Sequence, residues 1–401
     1  MASITIHDML QPQVILDVVS RIRKGQGRLG RWFGFHYTGF SPDGGVLTGP
    51  NIRESPVRYG TYRIYDRVRT IAKGRAPGTG PATWQPNPVG EVVYSCARFH
   101  EKITLNMEEL SNLSPIVGPN SQVDPGGQDY LTQQEETIAE RFNNAVEYLT
   151  ACMIRGAAYL MGQGEDWIPY MTQPGSGPYV TINFQIPSGN LTQLNMLGAG
   201  SIIDSGWQNA AAQIMSKHLP EIEQAFIYLH GYPLTDIWVD SITWSNVIVN
   251  TEVINTAGSA NTPFEKFEYV QEQGNDGEQV AEQVAVLRGR PYLRWHINNE
   301  VLVDEGGTDP SYAAGTGPLT QVIPANCALF QPEVRREWVD VIHCGEYVSE
   351  APGQPAVKRP GYYFWHEWVT QPTAVDLIGL LNAIPRLKIP KALALGTVMN
   401  F

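Results

Sequence analysis

Cysteine is scarce in this chain: Cys96, Cys152, Cys327 and Cys344 are the only four among 401 residues, and they lie far apart. No two of them have the CxxC spacing that is typical of zinc sites and redox motifs. The sequence therefore predicts neither a disulfide framework nor a zinc knuckle, and it favours a reducing compartment such as the cytoplasm.

Long hydrophobic runs are also missing. No stretch approaches the roughly 18 consecutive apolar residues of a membrane-spanning helix, and the N-terminus lacks the pattern of a secretion signal. We therefore expect no membrane partner and no export by a cleaved signal. The 42% of hydrophobic residues is ample for packed cores, and the length suits two or three folding units.

The sequence contains no recognisable catalytic motif. GxSxG and SxxK are absent, and His366-Glu367 matches only the start of a zinc-protease motif, because its second histidine is missing. His343 and Cys344 are neighbours in a predicted strand, so their side chains point to opposite faces. We expect no enzyme activity, no metal and no cofactor. An enzyme with a noncontiguous active site within residues 196–340 remains the alternative.

One glycine motif, GxGxxG, covers residues 25–30. In a dinucleotide-binding fold its last glycine opens a helix, whereas the residues that follow here do not predict a helix start. We therefore expect a flexible basic arm that binds no nucleotide, in which glycine lets the path vary between copies. Residues 13–24, before this motif, fit a short helix and a strand almost equally well.

Charge is distributed unevenly along the chain, whose net charge is -12. Residues 1–100 hold 13 Lys and Arg against 6 Asp and Glu, and residues 101–401 hold 15 against 34. Arginine outnumbers lysine 20 to 8, which favours fixed, multidentate contacts. The basic first quarter is expected to bind either nucleic acid or the acidic body of another copy of the chain.

Two runs with strand periodicity, residues 57–71 and 91–105, flank a segment with four prolines and four glycines at residues 73–90. This order predicts a two-stranded hairpin that projects from the body. Such a ribbon is marginal alone in water, so we expect a partner to cover it. Its candidate intersubunit contact residues are Arg58, Arg63, Arg67, Arg69, Trp84 and Arg98.

Apolar residues at steps of three and four predict a long helix over residues 131–162. Glu135, Glu136 and Glu140 fall in its first turns, and they are the candidate acidic partners of the arginines on a neighbouring copy. Residues 196–340 mix helical and strand patterns, with a helical region at 205–230 and a strand-like run at 236–250. The fold class is therefore α+β.

Local features near the C-terminus carry a resemblance. Trp368-Val369-Thr370, then Pro372, an apolar strand from Val375 to Leu381, Pro385 and a final run from Ile389 to Leu393 follow one another. Together with the order of the predicted elements, they are similar to the closing strands of tailed-phage major capsid proteins, particularly the lambda-type capsid protein family with its Hong Kong ninety-seven type fold. The resemblance implies an N-terminal arm, an extended β-hairpin loop, a long spine helix in a peripheral domain, and an axial domain. These parts fall at residues 1–50 for the arm, 51–110 for the loop, 111–195 and 341–401 for the peripheral domain, and 196–340 for the axial domain.

The resemblance also implies a function. Members of that family self-assemble as hexamers and pentamers into an icosahedral shell around double-stranded DNA, so we expect a structural virion protein assembled in the host cytoplasm. The implied partners are other copies of the chain, portal, scaffold or decoration proteins, and packaged DNA held by non-specific contact. A nucleic-acid-binding module that uses the basic arm is a third, weaker interpretation.

Overall fold

The computed structural model describes residues 27–35, 39–41, 46–65, 88–106, 108–109, 125–163, 166–171, 179–187, 202–257, 264–273, 279–287, 290–303, 319–349, 355–370 and 373–399. The segment at residues 13–24, for which helix and strand were both open, lies outside these ranges. The helices are α1 Arg28–Trp32, α2 Pro125–Ile154, α3 Leu219–His230, α4 Ser241–Val249 and α5 Thr251–Ala257. A π-helical turn, Ile214–His218, precedes α3, and a 3-10 turn, Pro390–Ala392, lies near the C-terminus.

Twenty-two strands complete the described part of the chain. The first eleven are β1 Gly39–Ser41, β2 Val46–Thr48, β3 Ile52–Ser55, β4 Tyr59–Tyr65, β5 Pro88–Ser95, β6 Ala97–Leu105, β7 Ala157–Gln163, β8 Asp166–Tyr170, β9 Tyr179–Asn183, β10 Asp236–Val239 and β11 Phe264–Gln273. The others are β12 Gln279–Leu287, β13 Arg294–Ile297, β14 Val301–Val303, β15 Leu319–Gln321, β16 Cys327–Gln331, β17 Val339–Cys344, β18 Glu346–Val348, β19 Val357–Arg359, β20 Tyr362–Thr370, β21 Thr373–Leu387 and β22 Ala394–Thr397.

The larger sheet is organised around β21, its longest strand. The first part of β21 lies between β20 and β6, and its last five residues pair with β17. Beyond β17 lies β3, in parallel, and beyond β6 lie β8, β7 and β9. The predicted closing strands at the C-terminus thus form the centre of this sheet.

Helix α2 differs from its prediction at both ends. The expected span was 131–162, whereas the helix begins at Pro125 and ends at Ile154. Gly156 adopts a φ of 93°, a left-handed conformation that residues with a side chain rarely reach, and the chain turns there into β7. The apolar residues after Gly156 therefore belong to a strand, which apolar spacing over so few residues does not distinguish from a continued helix.

The buried face of α2 covers the larger sheet. Ile138, Phe142 and Leu149 are buried, and the ring of Phe142 lies 5.7 Å from the rings of Tyr362 and Phe364 on β20. The aromatic residues at the start of β20 therefore fill a core between the larger sheet and α2.

A second, six-stranded sheet has the order β11-β12-β13-β10-β16-β22. On one face, the ring of Trp295 lies 5.8 Å from Trp207 and 5.7 Å from Trp244, inside a core that α3 and α4 cover. Trp238 and Leu329 belong to the core that the sheet shares with α2. Both faces are thus buried, which explains why all four residues of β10 are buried instead of alternating.

Several predictions for this unit were wrong in detail. The run 236–250 was expected to be strand-like, but only β10 is a strand, and the side chain of Asp240 then caps α4 by accepting from the N–H of Thr243 at 3.2 Å. Strands β11 and β12 pair antiparallel up to Gln273 and Gln279. The predicted helical region at 205–230 corresponds to α3 and the π-helical turn before it.

The end of the chain returns to the six-stranded sheet. Strand β22 pairs with β16 from Cys327 to Phe330, and Val398 and Met399 are buried in the core of that sheet. The predicted peripheral segment 341–401 therefore leaves the larger sheet before its last residues. The division into arm, loop, peripheral domain and axial domain stays a prediction.

The prediction for cysteine was wrong. A disulfide joins Cys96, the residue between β5 and β6, to Cys344 at the end of β17, with Cα atoms 6.5 Å apart. The two residues are 248 positions apart in the sequence, so no local spacing could indicate their pairing. Cys152 and Cys327 are free.

Candidate assembly surface

The predicted hairpin exists in the described residues as β4 and β5. The two strands pair antiparallel, and Thr61 lies opposite Val93 and Arg63 opposite Glu91. Their inner face is buried in the core beneath the larger sheet, through Tyr62, Ile64, Val92 and Tyr94. The base of the hairpin is thus anchored to the body instead of projecting from it, and the predicted tip lies outside the described residues.

The outer face of the hairpin is exposed and partly apolar. Tyr59 is 58% exposed and Val93 71% exposed, and Arg63 lies between them and the tip. The hydroxyl of Thr61 donates to Glu91 at 2.6 Å across the strands. We call this outer face, consisting of Tyr59, Thr61, Arg63, Glu91 and Val93, the ribbon surface. A patch with both apolar and charged groups is suited to a protein partner.

Arg58 lies at the edge of the ribbon surface and is half-buried. Its Nε and one terminal nitrogen are shielded from solvent and have no hydrogen-bond partner among the described residues. Nitrogens that are shielded from water and have no acceptor cost free energy. Arg67, Arg69 and Trp84, the other candidates on this hairpin, lie outside the described residues.

Arg98 is not on the hairpin, which corrects its predicted place. The chain leaves the hairpin at Cys96, and β6 continues in the larger sheet beside β21. There the Nε of Arg98 lies 3.1 Å from the carboxylate of Glu346, which also accepts from Asn382 at 2.7 Å. The sequence pattern did not reveal this change of sheet, because strand alternation continues through it.

The predicted acidic partners separate into two groups on α2. Glu136 and Glu140 are exposed, one helical turn apart, with Asp129 exposed two turns earlier on the same helix. These three residues form what we call the acidic stripe. Arg141, beside it, makes a salt bridge of 2.6 Å to Glu101 on β6.

Glu135 is fully buried, so it does not face a partner. Neither of its carboxyl oxygens has a hydrogen-bond partner among the described residues. Burial, and secondly the charge of Glu136, raises the pKa of Glu135 to about 8. The spacing of Leu131, Glu135, Ile138 and Phe142 follows the buried face of the helix, so the sequence did contain this signal.

The glycine motif at residues 25–30 has a structure that the sequence did not predict. Residues 28–32 form helix α1, and its first N–H groups donate to the side chains of Glu147 on α2 and Glu300 after β13. Sequence reasoning missed both glutamates, because they lie more than 100 residues from the arm.

The arm is also held by Trp32. Its ring lies 5.9 Å from the ring of Trp238 and 4.4 Å from that of His296, and the guanidinium of Arg294 lies 5.0 Å from it. Asp236 accepts two hydrogen bonds from Arg294, at 2.8 and 2.9 Å, and contacts His296 at 2.9 Å. The described part of the arm is therefore fixed to the six-stranded sheet, where a flexible segment was expected.

Among the described residues, no group of three or more histidine, cysteine, aspartate or glutamate side chains is placed to hold a metal ion. His343 stacks on Tyr362 with ring centroids 6.2 Å apart, while Cys344 forms the disulfide.

In the part of the chain that the structure describes, no helix combines the length and apolarity needed to cross a bilayer.

Comparison by sequence finds no matching protein-family model and no matching curated protein. Comparison by structure finds a protein of Escherichia coli CFT073 described as a candidate prophage capsid protein, with 11% identity, a TM-score of 0.51, and coverage of 99% of this chain and 100% of that one. A phage-related protein of Bordetella bronchiseptica RB50 has 9% identity and a TM-score of 0.45, over 98% and 97% of the two chains. A subunit of the mature capsid of bacteriophage PhiM1 has 11% identity and a TM-score of 0.40, over 87% and 85%.

The first of these likenesses extends over both whole chains and shows the fold. This chain has the α+β fold of a phage capsid protein, so the fold class and the resemblance inferred from the sequence are confirmed.

Proposed function

We propose that this chain is the subunit of an icosahedral virion shell that encloses double-stranded DNA, and that it assembles there as hexamers and pentamers. The observation that carries the proposal is the likeness to the candidate prophage capsid protein over 99% of the chain. Assembly would take place in the host cytoplasm. Portal, scaffold or decoration proteins would be further partners, and packaged DNA would be held by non-specific contact.

The ribbon surface and the acidic stripe supply complementary faces for contact between copies. Arg63 is exposed on one face, and Glu136 and Glu140 are exposed on the other. Arg58, half-buried at the edge of the ribbon surface, would bring a second positive charge to this contact. Arginine forks match carboxylates with two parallel bonds, so this pairing would fix the orientation of the neighbour. Arg67, Arg69 and Trp84 would extend the same contact from the hairpin tip.

Electron microscopy and sedimentation of the purified protein test the shell directly. We expect closed particles or rings of five and six copies, either from the cell lysate or after concentration. A protein that stays monomeric at high concentration, and also when it is coexpressed with the other head proteins of its phage, would contradict the proposal.

Charge reversal tests the surfaces. Arg63→Glu should prevent shells while leaving the fold intact by circular dichroism, and Glu140→Arg on the same chain should restore some of them. Arg335→Glu is the matched control, because Arg335 is an exposed arginine that belongs to neither surface and its salt bridge to Glu333 is also exposed. Normal empty shells from Arg63→Glu would instead favour contact of the hairpin with DNA, with salt-dependent binding.

A further inference from the structure

Glu147 and Glu300 approach the same short piece of backbone from two different parts of the fold. Glu147 is on α2, against the larger sheet, and Glu300 lies between β13 and β14. The N–H of Arg28 donates to both oxygens of Glu300, at 3.0 Å each. The N–H groups of Leu29 and Gly30 donate to the two oxygens of Glu147, at 3.1 and 2.6 Å. Three consecutive N–H groups of the arm thus join the two carboxyls.

The two carboxyl groups lie close together, because consecutive N–H groups of the arm donate to one and then to the other. An ionised carboxylate only accepts hydrogen bonds, so the two groups can bond to each other only when one of them carries a proton. Without that proton, two negative charges would lie close together at a site where Glu147 is 1% exposed.

We propose that Glu147 and Glu300 share one proton and form a latch that ties the arm to both α2 and the six-stranded sheet. Loss of the shared proton at higher pH weakens the latch and lets residues 27–35 detach from α2 and the six-stranded sheet. The latch is a property of the single subunit, so it does not depend on the proposed shell.

Charged and polar groups also surround the pair. Arg28 and Arg31 are the cations on the described part of the arm, Asn143 lies beside Glu147 on α2, and the guanidinium of Arg28 donates to the carbonyl of Ile297 at 2.7 Å. From the other side, Asn298 donates to Glu300 at 3.2 Å. Burial, and secondly the charge of Glu300, raises the pKa of Glu147 well above its ordinary value of 4.5. This is the direction that proton sharing requires.

The backbone of the arm passes very close to the carboxyl of Glu147. A Cβ atom on Gly27 would lie 2.1 Å from Oε2 of Glu147, so the close approach of the arm to this carboxyl depends on a glycine there.

Hydrogen exchange of the amides of residues 28–35, read by mass spectrometry between pH 5.5 and 8.5 and corrected for intrinsic exchange, tests the latch. When the arm opens, the carboxyl that holds the shared proton becomes exposed. Its pKa then returns to the ordinary value, so the proton is released. The opening equilibrium of the wild type should therefore rise about tenfold per pH unit up to the raised pKa. In Glu147→Gln one arm N–H loses its acceptor, so opening increases at pH 5.5, but its pH dependence should disappear.

Glu135→Gln is the matched control. Glu135 is buried on the same helix and also has a raised pKa, but it lies 12 residues, or about 18 Å, further from the arm contact. It should leave the pH dependence of arm opening unchanged. A wild-type arm whose opening does not depend on pH, or an equal effect of both substitutions, would overturn the latch.

A second measurement covers the case in which Glu147→Gln does not fold. In the Glu135→Gln background, infrared spectra should show a protonated carboxyl that persists at pH 7 and is lost at higher pH. A spectrum without that signal would refute the shared proton.

Discussion

Glu135 gives the sharpest quantitative prediction, because its carboxyl is fully buried and has no hydrogen-bond partner among the described residues. Its pKa is about 8 in the folded chain and takes its ordinary value of 4.5 when unfolded. A raised folded pKa means that stability is greatest at low pH and is lost as the pH rises from about 4.5 to about 8. Each pH unit within that window costs about 1.4 kcal/mol.

Glutamine removes this loss, because a buried amide does not ionise. Glu135→Gln should therefore be more stable than the wild type by about 1 kcal/mol at pH 5 and by about 3 kcal/mol at pH 7. The difference should grow to about 4 kcal/mol near pH 8, which is large for one substitution.

Urea unfolding of the dissociated subunit at these three pH values, followed by circular dichroism, measures the difference. Glu140→Gln is the control, because Glu140 is exposed on the same helix and its replacement should change stability by at most about 0.5 kcal/mol at every pH. The wild type should still lose stability through Glu147, so only the difference between the variants is informative. A Glu135→Gln effect that is independent of pH, or destabilising at pH 8, would show that the burial argument is wrong.

Two further predictions concern covalent and backbone constraints. Cys96→Ser should lower the free energy of unfolding by up to about 5 kcal/mol under oxidising conditions, because the disulfide closes a loop of 248 residues. Thermal melts with and without a thiol reductant measure this loss. A reductant that lowers the melting temperature of the variant as much as that of the wild type would contradict it. Gly156→Ala should cost about 1 to 2 kcal/mol, since alanine disfavours a φ of 93°, and an unchanged urea midpoint would show that the turn after α2 adapts without strain.

Helix α2 shows which features the periodicity of apolar residues predicts and which it does not. Ile138, Phe142 and Leu149 repeat at helical spacing, and this predicted both the helix and its buried face. The same pattern ran past the true end, because Gly156 stops the helix by its backbone angle while apolar residues continue into β7. Periodicity identified the element and not its boundary.

The hairpin shows a similar contrast: strand alternation predicts which side chains share a face, but not which strand lies beside them. Alternation along β4 predicted that Tyr62 and Ile64 lie on one face and Arg63 on the other, and in the structure the first two are buried and Arg63 is exposed. Alternation also placed Arg98 on the hairpin, although the chain changes sheet at Cys96. A period of two is identical on either side of such a bend, so it does not report which strand is the neighbour.

The α+β class, the core face of α2 and the exposed face of the hairpin were determined by the sequence alone, because each depends on residues close together in the chain. Tertiary structure alone decided the disulfide from Cys96, the burial of the carboxyl of Glu135 without a partner, and the two glutamates that hold the arm. Glu147 and Glu300 lie 117 and 272 residues from their arm contacts. Contacts at that separation are set by how the sheets and helices pack, and no local residue pattern records them.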